Sequence, residues 1–168
     1  MTNKAIRTLV LAALFAALAC VATMVIQIPS PMNGYVNLGD CFVLLAGWVL
    51  GPVYGSLAAG IGSALADMFT GYMHYAPGTF LIKAVMALIT WALAKALISR
   101  FRGKRALCKG ISAVVAELFM VVGYYFYAGL LLGKGLGALG AAASIPGNLV
   151  QGAVGAIAAV LHSQVVDR

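Results

Sequence analysis

From Ala5 to Val165 the chain is a succession of apolar runs, most of them about as long as a membrane-crossing helix, broken by Gly/Pro punctuation and clusters of positive charge. A hydrocarbon core of about 30 Å is crossed by roughly 20 apolar residues in helical conformation, and its backbone must satisfy its own hydrogen bonds. Runs of this kind therefore predict an all-α membrane protein. Composition agrees: 63% of the 168 residues are hydrophobic and 9% are charged, against roughly half and a quarter in soluble domains.

Six spans follow, in a single domain covering residues 1–168. The first runs from about Ala5 to Ile28 and stops at Pro29-Ser30-Pro31-Met32-Asn33-Gly34, where the prolines cannot continue a helix. The second and third share about Leu38 to Thr70 and are hinged at Gly51-Pro52-Val53-Tyr54-Gly55. Each is only about 15 residues, or roughly 22 Å of helix. The fourth runs from about Thr79 to Ile98, the fifth from about Leu107 to Leu132, and the sixth from about Ala142 to Val165. The first run also resembles a secretory signal with Lys4 and Arg7 ahead of it, but it continues too far for such a segment and is expected to be retained.

Basic residues give the orientation, because cytoplasmic loops carry the excess of Lys and Arg. An N-terminus in the cytoplasm puts Lys4, Arg7, Lys95, Arg100, Arg102, Lys104, Arg105, Lys109 and Arg168 on that side, leaves Lys134 outside, and brings the C-terminus in as well. The loops Pro29 to Asn37, Gly71 to Gly78 and Gly133 to Ala141 then face outward. The net charge of +7 is explained by this distribution, with no basic face of the kind nucleic acid would need.

Ionisable groups inside a span cost about 2.5–3.5 kcal/mol each on insertion scales, so each needs a partner or a purpose. Asp40, Asp67 and Lys83 all fall in the outer half of the bundle, and Glu117 falls near mid-membrane. Asn148 and Gln151 share one face of the sixth helix, and Tyr124, Tyr125 and Tyr127 occupy the outer part of the fifth. The outward loop after the third helix adds Tyr72, His74 and Tyr75. Asn37, Asp40, Asp67, Tyr75, Lys83, Glu117, Tyr124, Asn148 and Gln151 are the candidate substrate-binding set: a polar-floored, aromatic-walled cavity open to the outside, as small-ligand sites are usually built. Each has a plainer role too. Asp67 and Lys83 would make a structural ion pair, Asp40 would cap its helix, the tyrosines would form an interfacial belt, and Asn148 with Gln151 would bond neighbouring helices.

Several chemistries are not signalled. Cys20, Cys41 and Cys108 lack metal-ligand or disulfide spacing and read as small hydrophobes. Gly133-Lys134-Gly135 is not a phosphate-binding loop, and no HExxH, GxSxG or paired-carboxylate motif occurs, so neither a catalytic residue nor a metal or cofactor site is expected. Small residues recur at four-residue spacing, at Ala12 with Ala16, Ala13 with Ala17, and Gly47 with Gly51 and Gly55, and permit close helix approach within the chain or with a partner.

The segments Gly34-Tyr35-Val36-Asn37-Leu38-Gly39-Asp40, Leu50-Gly51-Pro52-Val53-Tyr54-Gly55, Gly62-Ser63-Ala64-Leu65-Ala66-Asp67, Tyr75-Ala76-Pro77-Gly78-Thr79-Phe80-Leu81-Ile82-Lys83 and Ile145-Pro146-Gly147-Asn148-Leu149-Val150-Gln151-Gly152 occur in this order. Together they resemble the S components, the substrate-binding subunits, of energy-coupling factor (ECF) vitamin transporters. The resemblance implies capture of a water-soluble vitamin at an outward-facing site in the prokaryotic cytoplasmic membrane. It also implies partnership with a transmembrane T subunit and two ABC ATPases, the T subunit meeting Ala12, Ala13, Ala16 and Ala17. Within the family, the subgroup most similar handles pyridoxine or the hydroxymethylpyrimidine precursor of thiamine, with riboflavin and other B vitamins as alternatives. Two readings compete: a ligand-free membrane scaffold, and a small intramembrane enzyme using Glu117 or Asp67 as acid or base.

Overall fold

The computed structural model describes residues 3–30, 34–101, 103–137 and 139–166. Pro31 to Asn33, Arg102, Ala138 and Arg168, which enter the expectations above, lie outside the described residues. The elements are helix α1 (Asn3–Val25), strands β1 (Gln27–Ser30) and β2 (Gly34–Asn37), and helices α2 (Asp40–Phe69), α3 (Ala76–Arg100), α4 (Arg105–Phe126) and α5 (Ile145–Val166). A π-helical turn, Tyr127–Leu131, extends α4, and a 3-10 turn, Ala141–Ser144, leads into α5. Among the described residues five helices are long and apolar enough to cross a membrane, where six spans were expected.

The difference lies at Gly51. Pro52 has no N–H to give to the helix and bars its predecessor from the helical region. Gly51 accordingly sits at φ 81°, ψ −168°, a conformation open to glycine alone. The break does more than bend α2. A Cβ placed on Gly55 would lie 2.5 Å from the Ala46 carbonyl oxygen and 3.1 Å from Gly47 Cα, whereas nine residues of straight helix separate such positions by about 13 Å. The arms 40–50 and 52–69 therefore fold back on one another, unequal in length, as one helical element with a reversal inside it.

The segment after α1 is a second departure from expectation. It is an antiparallel β-hairpin, with Gln27 opposite Asn37 and Pro29 opposite Tyr35, rather than an irregular loop. Because side chains alternate along a strand, Tyr35 and Asn37 share one face of β2. Helix α3 starts with Pro77 in its first turn, where a missing N–H costs nothing.

Small residues set the helix packing. Gly47 faces the backbone of Ala87 in α3, Gly62 faces that of Ala16 in α1, and Gly60 lies under Phe80. Val43, Leu44, Met86, Met120 and Ala159 form the interior, while Leu9, Val53, Leu81, Val114, Leu149 and Ile157 point outward as expected for side chains that meet lipid. The three cysteines are buried and unpaired.

Candidate functional site

Among the described residues, Lys83 and Asp40 form a buried ion pair, at 2% and 0% side-chain exposure. Lys83, about two turns into α3, makes its ion pair with Asp40 and not with Asp67, which corrects one of the expectations drawn from sequence. Asp40 does not act as a helix cap either. Gly39 holds the cap position, and its N–H is satisfied at 2.8 Å by the Asn37 side-chain carbonyl. That leaves the Asp40 carboxylate turned inward, where its second oxygen accepts from Gln151 Nε2 at 2.6 Å.

Gln151 extends the network to the hairpin. Its Oε1 accepts from the backbone N–H of Asn37 at 2.9 Å and from the Asn37 amide at 3.4 Å. A chain of polar contacts thus runs from β2 through α5 and α2 to α3. Lys83 Nζ also lies 3.1 Å from Met120 Sδ and 5.5 Å from the centre of the Tyr124 ring. A leucine at position 151 would strand the Asn37 N–H and one Asp40 oxygen, each at about 1–3 kcal/mol. Gln151→Leu is therefore expected to lower the midpoint of thermal unfolding in detergent; an unchanged midpoint would show that the network carries no stability.

Above this floor lies a hollow of about 40 Å³. Asn37, Asp67, Tyr75, Lys83, Tyr124, Asn148 and Gln151 line it, and all of them were expected from sequence. Thr23, Tyr35, Ser63, Thr79 and Ser144 join them and were not. Ser63 and Thr79 were nonetheless legible, each standing one helical turn before a candidate, Asp67 and Lys83 respectively. Tyr35 donates its hydroxyl to Asp67, and Tyr124 donates to Thr79 at 3.1 Å. Burial, and then the neighbouring Asp67, push the Tyr35 phenol well above its ordinary range, so it remains a donor.

The segments after α2 and α4 border the hollow. Lys134 donates to the Tyr75 hydroxyl at 2.7 Å and lies over the Tyr75 ring, and burial pushes its own pKa down. Tyr72 packs on Tyr35 with ring centres 4.7 Å apart, and the Tyr127 hydroxyl donates to the His74 carbonyl at 2.9 Å. Tyr125 points elsewhere, bonding the Leu136 carbonyl at 3.0 Å.

Two of the nine candidates do not line the hollow. Asp40 lies beneath it as the anchor of Lys83. Glu117 faces a separate groove between α4 and α5, beside Asn148, Leu149 and Gly152. It still approaches the network from behind: a Cβ on Gly155 would lie 2.8 Å from Asp40 Cβ and 3.0 Å from Glu117 Oε1. On the opposite flank, Ala12, Ala13, Ala16 and Ala17 line an apolar groove of about 610 Å³ between α1 and α2. No group of three His, Cys, Asp or Glu side chains able to hold a metal occurs among the described residues.

An apolar helical bundle, folded round a buried ion pair with a polar hollow near one end, is the architecture of a membrane-embedded solute receptor. Its fold matches that of a solved structure described as the S component of a bacterial ECF transporter, with a TM-score of 0.72 at 24% identity over 96% of this chain and 95% of that one. The S component for biotin from an ECF-type ABC transporter matches with a TM-score of 0.60 at 17% identity, over 100% and 95% of the two chains. A sequence model of the ECF-type riboflavin transporter S component matches residues 3–168, and the chain belongs to that family. A relative from Pyrococcus woesei, described as an uncharacterized protein in the gap 3′ region, is 35% identical over 138 residues, 82% of this chain and 86% of that protein. The family is one of substrate-binding transport subunits, not an enzyme family.

Proposed function

We propose that this chain captures a small aromatic vitamin or vitamin precursor, pyridoxine or hydroxymethylpyrimidine, in the hollow beneath the β-hairpin, and hands it to partner subunits for ATP-driven uptake. The observation that carries this reading is convergence: Asn37, Asp67, Tyr75, Lys83, Tyr124, Asn148 and Gln151, from separate elements, meet at one place. Tyr75 and Tyr124 supply faces for a flat ring, and amides, hydroxyls and a carboxylate supply its edge contacts. Riboflavin, which the family description names, is the alternative.

In this reading the protein lies in the prokaryotic cytoplasmic membrane with both termini in the cytoplasm. The arms 40–50 and 52–69 serve as separate short spans, six in all. The partners are a transmembrane T subunit, received on the alanine-lined groove of α1, and two ABC ATPases. What supports the groove assignment is its apolar lining and the exposure of Ala13 and Ala17 within it.

Purified protein in detergent is expected to bind one member of a B-vitamin panel at nanomolar to micromolar Kd. Asn148→Ala should weaken that binding about tenfold or more, the loss of a well-placed polar contact, and Gln164→Ala, on an exposed position, should leave it unchanged. Absence of binding across the panel would sink the receptor reading, and equal effects of the two substitutions would remove the site.

A further inference from the structure

Most polar groups around the hollow are already engaged. Gln151 uses both ends of its amide, Asn37 holds the Gly39 N–H, the Tyr124 hydroxyl is on Thr79, and the Tyr75 hydroxyl is on Lys134. The Asn148 amide is not, and neither are two fully buried lining atoms. Ser63 Oγ and Asp67 Oδ2 have no hydrogen-bond partner among the described residues, although Ser63 is 2% and Asp67 3% exposed. Four residues apart on one arm of α2, they project from the same face. Thr79 stands beside the Asp67 carboxylate, and Tyr35 occupies its other oxygen. A buried carboxylate oxygen without a donor is costly, and it is satisfied only by something that brings a donor to it.

The charge balance of the hollow points the same way. Lys83 would suit a phosphate or carboxylate if its ammonium were available, but it contacts Asp40, which Gln151 holds from the other side. An anionic solute would have to break that buried pair and settle near the Asp67 carboxylate as well. Glu117 also has unpartnered oxygens, but they are buried behind Asp40, and Glu117 does not line the hollow.

We propose that Asp67, with Ser63 one turn before it, reads an N–H donor edge of the solute, so that the receptor prefers a neutral or cationic amino-substituted heterocycle and rejects its phosphate ester. This rests on the receptor reading above and sharpens it to a chemical class.

The test uses the full chain in detergent and three probes: hydroxymethylpyrimidine bearing its ring amino group, the analogue with hydrogen in place of that group, and the phosphate ester. Calorimetry is expected to show the desamino analogue binding about tenfold weaker and the ester about 100-fold weaker or not at all. Asp67→Asn should cut the amino preference to about threefold or less, and Ser63→Ala should reduce binding of the amino compound by about threefold. Equal binding of the amino and desamino compounds by the unaltered protein, tight binding of the ester, or a full preference surviving in Asp67→Asn would each overturn the proposal while leaving the receptor reading intact. Binding of riboflavin but of none of the three probes would do the same. If neither the probes nor any B vitamin binds, both readings fall. Should Asp67→Asn not fold, the comparison of the three probes on the unaltered protein, with Ser63→Ala, decides the matter.

Discussion

Lys83→Met is expected to destabilise the bundle by about 3–5 kcal/mol, because it leaves the Asp40 carboxylate buried without its counter-charge. Asp40 is fully enclosed, with the Gln151 amide on one oxygen and Glu117 close behind, so bulk water does not take the place of the ammonium. The double substitution Lys83→Met with Asp40→Asn should recover most of the loss, since both charges then vanish together. Thermal unfolding of the three proteins in one detergent checks this. A single variant as stable as the parent, or a double variant as unstable as the single, would show that the pair does not hold the centre of the bundle together. Lys83 also lines the hollow, so a weakened affinity in Lys83→Met is not by itself a sign of direct contact with solute.

Gly47→Val should be comparably damaging for a different reason. A Cβ at Gly47 would come within 2.5 Å of the Ala87 carbonyl oxygen and 3.2 Å of its Cα. These are backbone atoms on α3, which cannot swing aside as a flexible side chain would, so helices α2 and α3 must separate. Overpacking of this kind costs about 1–3 kcal/mol and more when backbone must shift; a branched side chain at this contact is expected to reach about 3 kcal/mol or above. Gly110, inside α4 with nothing within 4 Å of its added Cβ, is the control. Gly110→Ala should be neutral or stabilise by up to about 1 kcal/mol through helix propensity. Comparable losses for the two substitutions would mean that close helix approach at Gly47 is not what matters.

Much of this was legible in the chain because a bilayer leaves few options. Apolar runs give helices, and the rare polar residues within them must gather, so Asp67, Lys83, Tyr124, Asn148 and Gln151 could be assigned to one site from hydropathy and spacing. Pairing was not legible. Nothing in the spacing of Asp40 and Asp67 says which one meets Lys83; both arms of α2 pack on α3, and the ion pair forms with Asp40 of arm 40–50. The fold-back was invisible for a related reason. Gly51-Pro52 announces a break, but whether a break is a kink or a hairpin depends on whether Ala46 and Gly55 can touch, which is a tertiary fact. Tyr35 was missed because a four-residue strand gives too short a pattern to set a face, and that Glu117 stands behind the hollow could not be read because depth in the membrane does not specify the side of a helix.

The link from Asn37 through Gln151 to Asp40 ties the hairpin to the buried ion pair with Lys83. In the receptor reading proposed above, a solute seated against this link steadies both of its ends. Occupancy should accordingly be felt far from the guest itself, as slower exchange of amide hydrogens in α2, α3 and α5 together.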